Sequence, residues 1–374
     1  MHRNPERSWR EFETTRLLAD RLRAVSLEPV AFEPTGLYVD VGPADPRFRV
    51  ALRADLDALP LQERTGLAWT SNTPGMSHSC GHDVHTAALL GATLALTHVR
   101  DHLEHVGLGV RCIFQPAEET HPSGARMVRD TGVLDLVDAI FALHCDPSTD
   151  LGYAGLRVGA ITAASDRLNI RVTGDGGHTS RPHLTQDVVF ALAKVATDLP
   201  AALTRVLDVR ANVVLAWGSV HSGEAENVIP DSGEIRGTLR LTDAALWETL
   251  APVVRRLVAA IVAPYGVQAE VEYHQGVPPV VNTATGIDVA RLAVTSALGP
   301  GAVTEAVQSM GGEDFAWMLQ GHEGALVRLG TRTPGGVTYD LHRGDLVVDP
   351  RSTLLAARLY ATLPFAARTV LLGG

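Results

Sequence analysis

The chain has 374 residues, 45% hydrophobic and 20% charged, which suits a soluble globular protein and, at this length, two domains. A net charge of −10 with no basic block excludes the clustered positive footprint that nucleic-acid binding needs. Three cysteines, Cys80, Cys112 and Cys145, are too few and too scattered for a disulfide framework.

No apolar run approaches the ~20 residues of a membrane span. The opening MHRNPERSWREFETT is polar and lacks the apolar core of a signal peptide, so the expected location is the cytoplasm. Apolar spacing predicts a helix over Trp9–Val25 and strands at Leu37–Val41 and Phe48–Leu52. The second strand leads into Asp55, as buried strands do when they end at a site. A helix follows over Val84–Thr97, with Asp83 as its cap. Next come a strand at Leu108–Phe114, a helix at Ser123–Asp130 and a strand at Ala139–Leu143 that ends at His144. Strands alternating with helices imply an α/β fold with a mostly parallel, doubly wound sheet.

The pattern changes near Thr162. Strand Leu168–Val172, helix Thr185–Leu199, strands Asn212–Val220 and Gly233–Leu241, helix Ala244–Ala263 and strand Ala269–His274 make the split βαβ order of a two-layer α+β unit, ferredoxin-like in type. After about Val277 the first pattern resumes. The expected architecture is a discontinuous α/β domain, 1–162 and 276–374, with an α+β domain inserted at 163–275.

Candidate chemistry concentrates in Ser77-His-Ser-Cys-Gly-His-Asp-Val-His85. Cys80 and His82 flank a glycine just before a helix, a turn that lets both side chains converge on one ion. Thiolate with imidazole suits zinc, manganese, cobalt or nickel. Each histidine alone reads as an ordinary surface or structural residue; the cluster favours a metal. In Phe114-Gln-Pro-Ala-Glu-Glu119, adjacent carboxylates after a buried strand are costly unless paired or ligated. One can hold a cation while its neighbour serves as a base. His144 ends a third apolar strand, and His342 sits in a late Gly- and Asp-bearing loop. These positions suit a doubly wound sheet, whose sites lie beyond the carboxyl ends of its strands. A thiol hydrolase with Cys80 as nucleophile and His82 as base, and a metal-binding protein without activity, remain as alternatives.

Arg53-Ala-Asp-Leu-Asp-Ala-Leu-Pro60, His78-Ser-Cys-Gly-His-Asp-Val-His-Thr86, Phe114–Glu119, Gly177-His178, Asn227-Val-Ile-Pro230, Gly312-Glu-Asp-Phe315 and Leu341-His342 occur in this order. Together they resemble the M20 metallopeptidase family, and its aminoacylase branch of N-acyl-amino-acid amidohydrolases. The opening His2-Arg-Asn-Pro-Glu6 is similar to that branch's opening motif. The resemblance covers nearly the whole chain.

It implies two divalent ions per subunit, zinc or manganese with nickel or cobalt as options, ligated by Cys80, His82, Glu119, His144 and His342, with Cys80 bridging. It implies Glu118 as general base and Asp55 as the acid that orients a ligand histidine. Arg53 stands where the wider family has a ligating histidine and is not counted as a ligand. Ser77-His-Ser-Cys replaces the branch's usual Met-His-Ala-Cys, and His78 and His85 are read as supporting or structural. The inserted domain is expected to close over the substrate or to form a homodimer. There His178 would donate to the oxyanion, often across subunits, while Asn227 and Arg240 hold the substrate, Arg240 through a carboxylate. The implied function is hydrolysis of small N-acyl amino acids, with a dipeptidase or carboxypeptidase as the alternative, and no nucleic-acid or membrane partner. Glu118 argues against an inactive protein.

Overall fold

A computed structural model describes residues 1–373. The principal helices are α1 (Phe12–Arg23), α2 (His82–Thr97), α3 (Arg100–Val106), α4 (Gly124–Asp130), α5 (Val188–Val206), α6 (Ala244–Val262), α7 (Ala284–Leu298) and α8 (Arg351–Leu372). The principal strands are β1 (Val30–Ala31), β2 (Leu37–Val41), β3 (Phe48–Asp55), β4 (Leu108–Gln115), β5 (Ala139–Asp150), β6 (Ala154–Leu156), β7 (Ala164–Thr173), β8 (Val214–Ser222), β9 (Ser232–Leu241), β10 (Gln268–Val277), β11 (Val303–Glu305) and β12 (Glu323–Arg332). They form two compact units. The first comprises Met1–Ile161, Val280–Gln308 and Asp314 onward; the second comprises Thr162–Pro279 and Ser309–Glu313.

The first unit is built on an eight-stranded sheet in the order β1-β2-β4-β3-β5-β12-β6-β11. Its centre, β4-β3-β5-β12, is parallel throughout. Alternate residues of the central strands feed two separate cores. Val50, Leu52, Phe141 and Leu143 pack in one layer with α1, α2, α7 and α8; Ala51, Ile140 and Ala142 pack in the other with α4. This double burial explains why the strands read as continuous apolar runs rather than alternating ones. The mixed α/β fold with a mostly parallel central sheet matches the sequence reading.

Two strands outrun their expected ends. β3 continues through Arg53 to Asp55 because the buried guanidinium is neutralised by Asp55 (2.8 Å) and Asp314 (2.7 Å). β5 runs through His144 to Asp150 because β12 pairs with it as far as Arg332↔Asp150. The ladder between β3 and β5 ends at Arg53↔Ala142. There the buried Tyr360 hydroxyl of α8 accepts from Leu143 N–H (3.1 Å) and donates to the Arg53 carbonyl (2.7 Å), in place of a direct bond between the strands.

One helix is long and apolar enough to cross a membrane, although Arg358 and Arg368 break its apolar run. α8 has 22 residues with a mean hydropathy of 1.2 over its best window, enough by length and composition. Its Leu359, Tyr360, Leu363 and Ala367 are buried in the core, as in an interior helix. The expected Asp83 cap is absent: α2 starts at His82 after a left-handed Gly81, and the Asp83 carboxylate pairs instead with His2 Nδ1 at 2.7 Å. At α1, the Glu6 carboxylate accepts from the amides of Glu13 (3.0 Å) and Thr14 (2.8 Å).

The second unit is a four-stranded antiparallel sheet in the order β8-β9-β7-β10, with α5 and α6 packed on it. Asp187 and Asp243 cap these helices through the amides of Phe190 and Leu246.

Candidate metal centre

The carboxyl ends of β3, β4 and β5, the start of α2 and the loop at 342 supply the polar residues of the first unit's centre. Two imidazoles share one posture. His82 Nδ1 bonds the Asp57 carbonyl (2.9 Å) and His144 Nδ1 bonds the Cys145 carbonyl (2.8 Å). Each is thereby held as the tautomer with a free Nε2, the arrangement that ligating histidines use. His144 Nε2 lies 3.5 Å from Cys80 Sγ. Gly81 lets the turn between Cys80 and His82 pack against Cys145: its φ is 86°, and a Cβ there would lie 2.8 Å from Cys145 Sγ.

Glu119 faces the same centre. Its Oε1 lies 3.0 Å from His342 Nε2 and 3.9 Å from His82 Nε2. His342, half-exposed and at a φ of 59°, is tied down by its amide, which donates to the Ser79 carbonyl at 2.8 Å. Cys80, His82 and His144 have ligand atoms within 4.8 Å of one another; so do Cys80, Glu119 and His342, and His82, Glu118 and Glu119. Cys80, His82 and Glu119 each belong to two of these groups. All five residues expected around a metal thus converge here, with Glu118 beside them.

The electrostatics fit a cation. Among the described residues, His82 Nε2 is buried without a hydrogen bond, an arrangement that is costly unless something completes it. Burial opposes charge on His82, but Asp55, Cys80 and Asp57 prevail and raise its pKa well above the usual value. A metal ion would meet the same negative surround and take the proton's place. Burial, with Arg328 nearby, keeps His144 neutral and ready to ligate. Burial pushes the Cys80 thiol up to about 12, so a free thiolate nucleophile is scarce without a neighbouring cation.

Asp55 does not hydrogen-bond any of the five. Its Oδ1 takes His85 Nδ1 (2.7 Å) and its Oδ2 takes Arg53 (2.8 Å), while His82 Nε2 lies 3.6 Å away. His85 Nε2 accepts from Cys145 N–H (2.9 Å), so both ring nitrogens are committed and His85 is a strut between β3, α2 and β5. His78 is buried with both nitrogens unbonded among the described residues, and burial pushes it down to about 4. The residue that sequence reasoning missed is Asp57. It touches His82 through its carbonyl and the amides of Glu118 and Glu119 through its carboxylate (3.0 Å each). The only signal for it was its place in Arg53–Pro60.

The remaining candidates lie in the second unit. His178 and Asn227 come together where Gly177–His178 pairs with Val228–Ile229, and Thr179 N–H donates to the Asn227 carbonyl (3.2 Å). His178 is exposed, and its Nδ1 accepts from the Ser180 amide (3.0 Å). Arg240 donates to the Met310 carbonyl (2.7 Å).

The family model described as Peptidase family M20/M25/M40 matches residues 51–363. A Rhodococcus jostii protein with the provisional name glutamate–cysteine ligase 2-3 is 44% identical over 97% of this chain; the match spans 45% of that relative's length. A Bacillus subtilis N-acetylcysteine deacetylase is 35% identical over 97% of this chain and 93% of its own. The crystal structure of a B. subtilis protein described as a dinuclear metal binding peptidase from the M20 family superposes with a TM-score of 0.84 at 33% identity, covering 99% of this chain and 95% of that one. The chain therefore belongs to peptidase family M20/M25/M40, in its aminoacylase-like branch, with the fold and site of a metal-dependent amidohydrolase.

Proposed function

We propose that the chain hydrolyses the amide bond of N-acyl amino acids, N-acylated cysteine foremost, at a centre of two divalent ions. The observation that carries the reading is the shared sulfur: Cys80 belongs to two groups of ligand atoms, one with His82 and His144 and one with Glu119 and His342. We assign these five as the ligands, with zinc or manganese as the metal and nickel or cobalt as chemically acceptable. A divalent ion in such a site polarises a carbonyl and lowers the pKa of water from 15.7 toward about 7.

The chain's own groups do the rest. Glu118 takes the proton of the attacking water and passes it to the leaving nitrogen, which requires a carboxylate that is not itself a ligand. His178 is assigned as donor to the developing oxyanion, within one subunit or across a homodimer. Asn227 and Arg240 are assigned to the amino-acid portion; Arg240 spends one guanidinium nitrogen on Met310 and keeps others for a carboxylate. The second unit is then the lid or dimerisation domain. The cysteine preference rests on the names of the deacetylase and ligase relatives. Three unpaired cysteines suit a reducing compartment such as the cytoplasm.

The test is a substrate screen after thorough chelation and reloading with zinc or manganese, using N-acetyl, N-benzoyl and longer N-acyl amino acids, N-acetylcysteine and dipeptides. The expected result is ion-dependent turnover of N-acyl amino acids, fastest with N-acetylcysteine. Turnover of dipeptides alone would move the assignment to a peptidase, which the description of the structural relative favours. Activity that survives chelation and falls to thiol alkylation would overturn the metal reading.

A further inference from the structure

We propose that Glu11 and Asp57 form a two-carboxylate clamp on the backbone of residues 117–119, and that this clamp sets where Glu118 and Glu119 point. Three consecutive amides donate to it. Ala117 N–H reaches Glu11 Oε1 at 2.8 Å, Glu118 N–H reaches Asp57 Oδ1 at 3.0 Å, and Glu119 N–H reaches Asp57 Oδ2 at 3.0 Å. Both carboxylates are fully buried. The turn needs holding: Ala117 sits at a φ of 55°, a left-handed conformation that a non-glycine residue keeps only where its surroundings impose it.

The clamp is itself anchored. Glu11 Oε2 accepts from the Thr35 hydroxyl (2.6 Å) and Asp57 Oδ2 from the Ser8 hydroxyl (2.7 Å). Asp57 also reaches the opposite wall of the centre, because its carbonyl accepts from His82 Nδ1 (2.9 Å). One residue thus fixes both halves of the Glu118-Glu119 pair relative to His82. Burying two carboxylates to bind amides is expensive, and a turn without a positional duty would not require it. The inference rests on the roles proposed above for Glu118 and Glu119.

The two carboxylates have different tolerances, which makes the clamp testable. Glu11 offers one oxygen to an N–H and the other to a hydroxyl that can rotate and accept instead. Glu11→Gln should therefore restore most of what Glu11→Ala loses. Both Asp57 oxygens accept N–H groups, so Asp57→Asn must set its NH2 against an amide donor. In the full chain, read by chelator competition, Asp57→Asn is expected to bind the ion about 10- to 100-fold more weakly. Its kcat per folded, ion-loaded molecule should fall while KM stays within about twofold, because substrate contacts are untouched. A residue that only supports the fold would lower the thermal midpoint and leave those values unchanged. If Asp57→Asn does not fold, Ser8→Ala, which strips one partner from Oδ2, should weaken ion binding by about two- to fivefold. Wild-type affinity in the folded variants, or equal losses in Glu11→Gln and Asp57→Asn, would overturn the clamp. Failure of the wild-type chain to bind any divalent ion would instead overturn the metal reading beneath it.

Discussion

Glu118 and Glu119 are chain neighbours with different surroundings. Glu119 faces two imidazoles at 3.0 and 3.9 Å, whereas Glu118 Oε1 accepts from the Asp314 amide at 3.4 Å. Glu118→Gln should therefore keep its bound metal and lose about 10²–10⁴-fold in kcat, measured with ion content in the same sample. Wild-type turnover in that variant would refute its role as base. His178→Ala should lower kcat by about 10²–10³-fold with a smaller change in KM if it stabilises the oxyanion; a change in KM alone would make it a ground-state contact. His2 predicts a pH effect. Its hydrogen bond to Asp83 raises its pKa from 6.5 to about 9 against the opposing effect of burial. A folded-state pKa above the unfolded one stabilises the fold fully below about 6.5 and loses that contribution as pH rises through about 9. His2→Ala should cost about 1–2 kcal/mol in urea unfolding at pH 6, after allowance for partial exposure, and almost nothing at pH 10.

At the scale of single elements, the Tyr360 bridge and the start of α2 make separate predictions. Tyr360→Phe strands the buried Leu143 N–H and Arg53 carbonyl, and should cost about 2–4 kcal/mol by denaturant unfolding. Gly81→Ala combines a left-handed φ with a clash against Cys145, and should cost about 1–3 kcal/mol while weakening metal uptake. The sequence made the elements themselves legible, because double-sided burial of β3, β4 and β5 leaves an unmistakable apolar run. It did not reveal where they stop. Arg53 and His144 look like strand ends until their partners Asp314 and Arg328 are known, and both come from the far end of the chain. The helix cap failed for a related reason: Asp83 has the right residue type, but His2, 81 residues away, takes its carboxylate. The five candidate ligands were legible as a set because they are chemically conspicuous. Asp57 and Glu11 were not, since a carboxylate that binds backbone amides looks like any other acid in a sequence.

For the whole molecule, the candidate ligands are drawn from residues 80 to 342 and meet only in the folded first unit. Ion binding should therefore stabilise the native state against the unfolded chain, by about 2.7 kcal/mol at a hundredfold excess over Kd. Calorimetry should show a midpoint that falls on chelation and recovers on reloading; a midpoint indifferent to metal would contradict the shared site. The discontinuity of that unit also bears on how the chain emerges from the ribosome. β12 lies between β5 and β6 in the sheet, yet it is synthesised some 170 residues later, after the entire four-stranded second unit. A nascent chain that ends before β12 carries Cys80, His82, Glu119 and His144 on a sheet with an open gap beside β5. The second unit's sheet and helices, by contrast, draw only on 162–279 and can close while translation continues. The candidate centre is thus completed only after the second unit has been made, and an early stop in translation leaves a thiol and two imidazoles without β12 beside them.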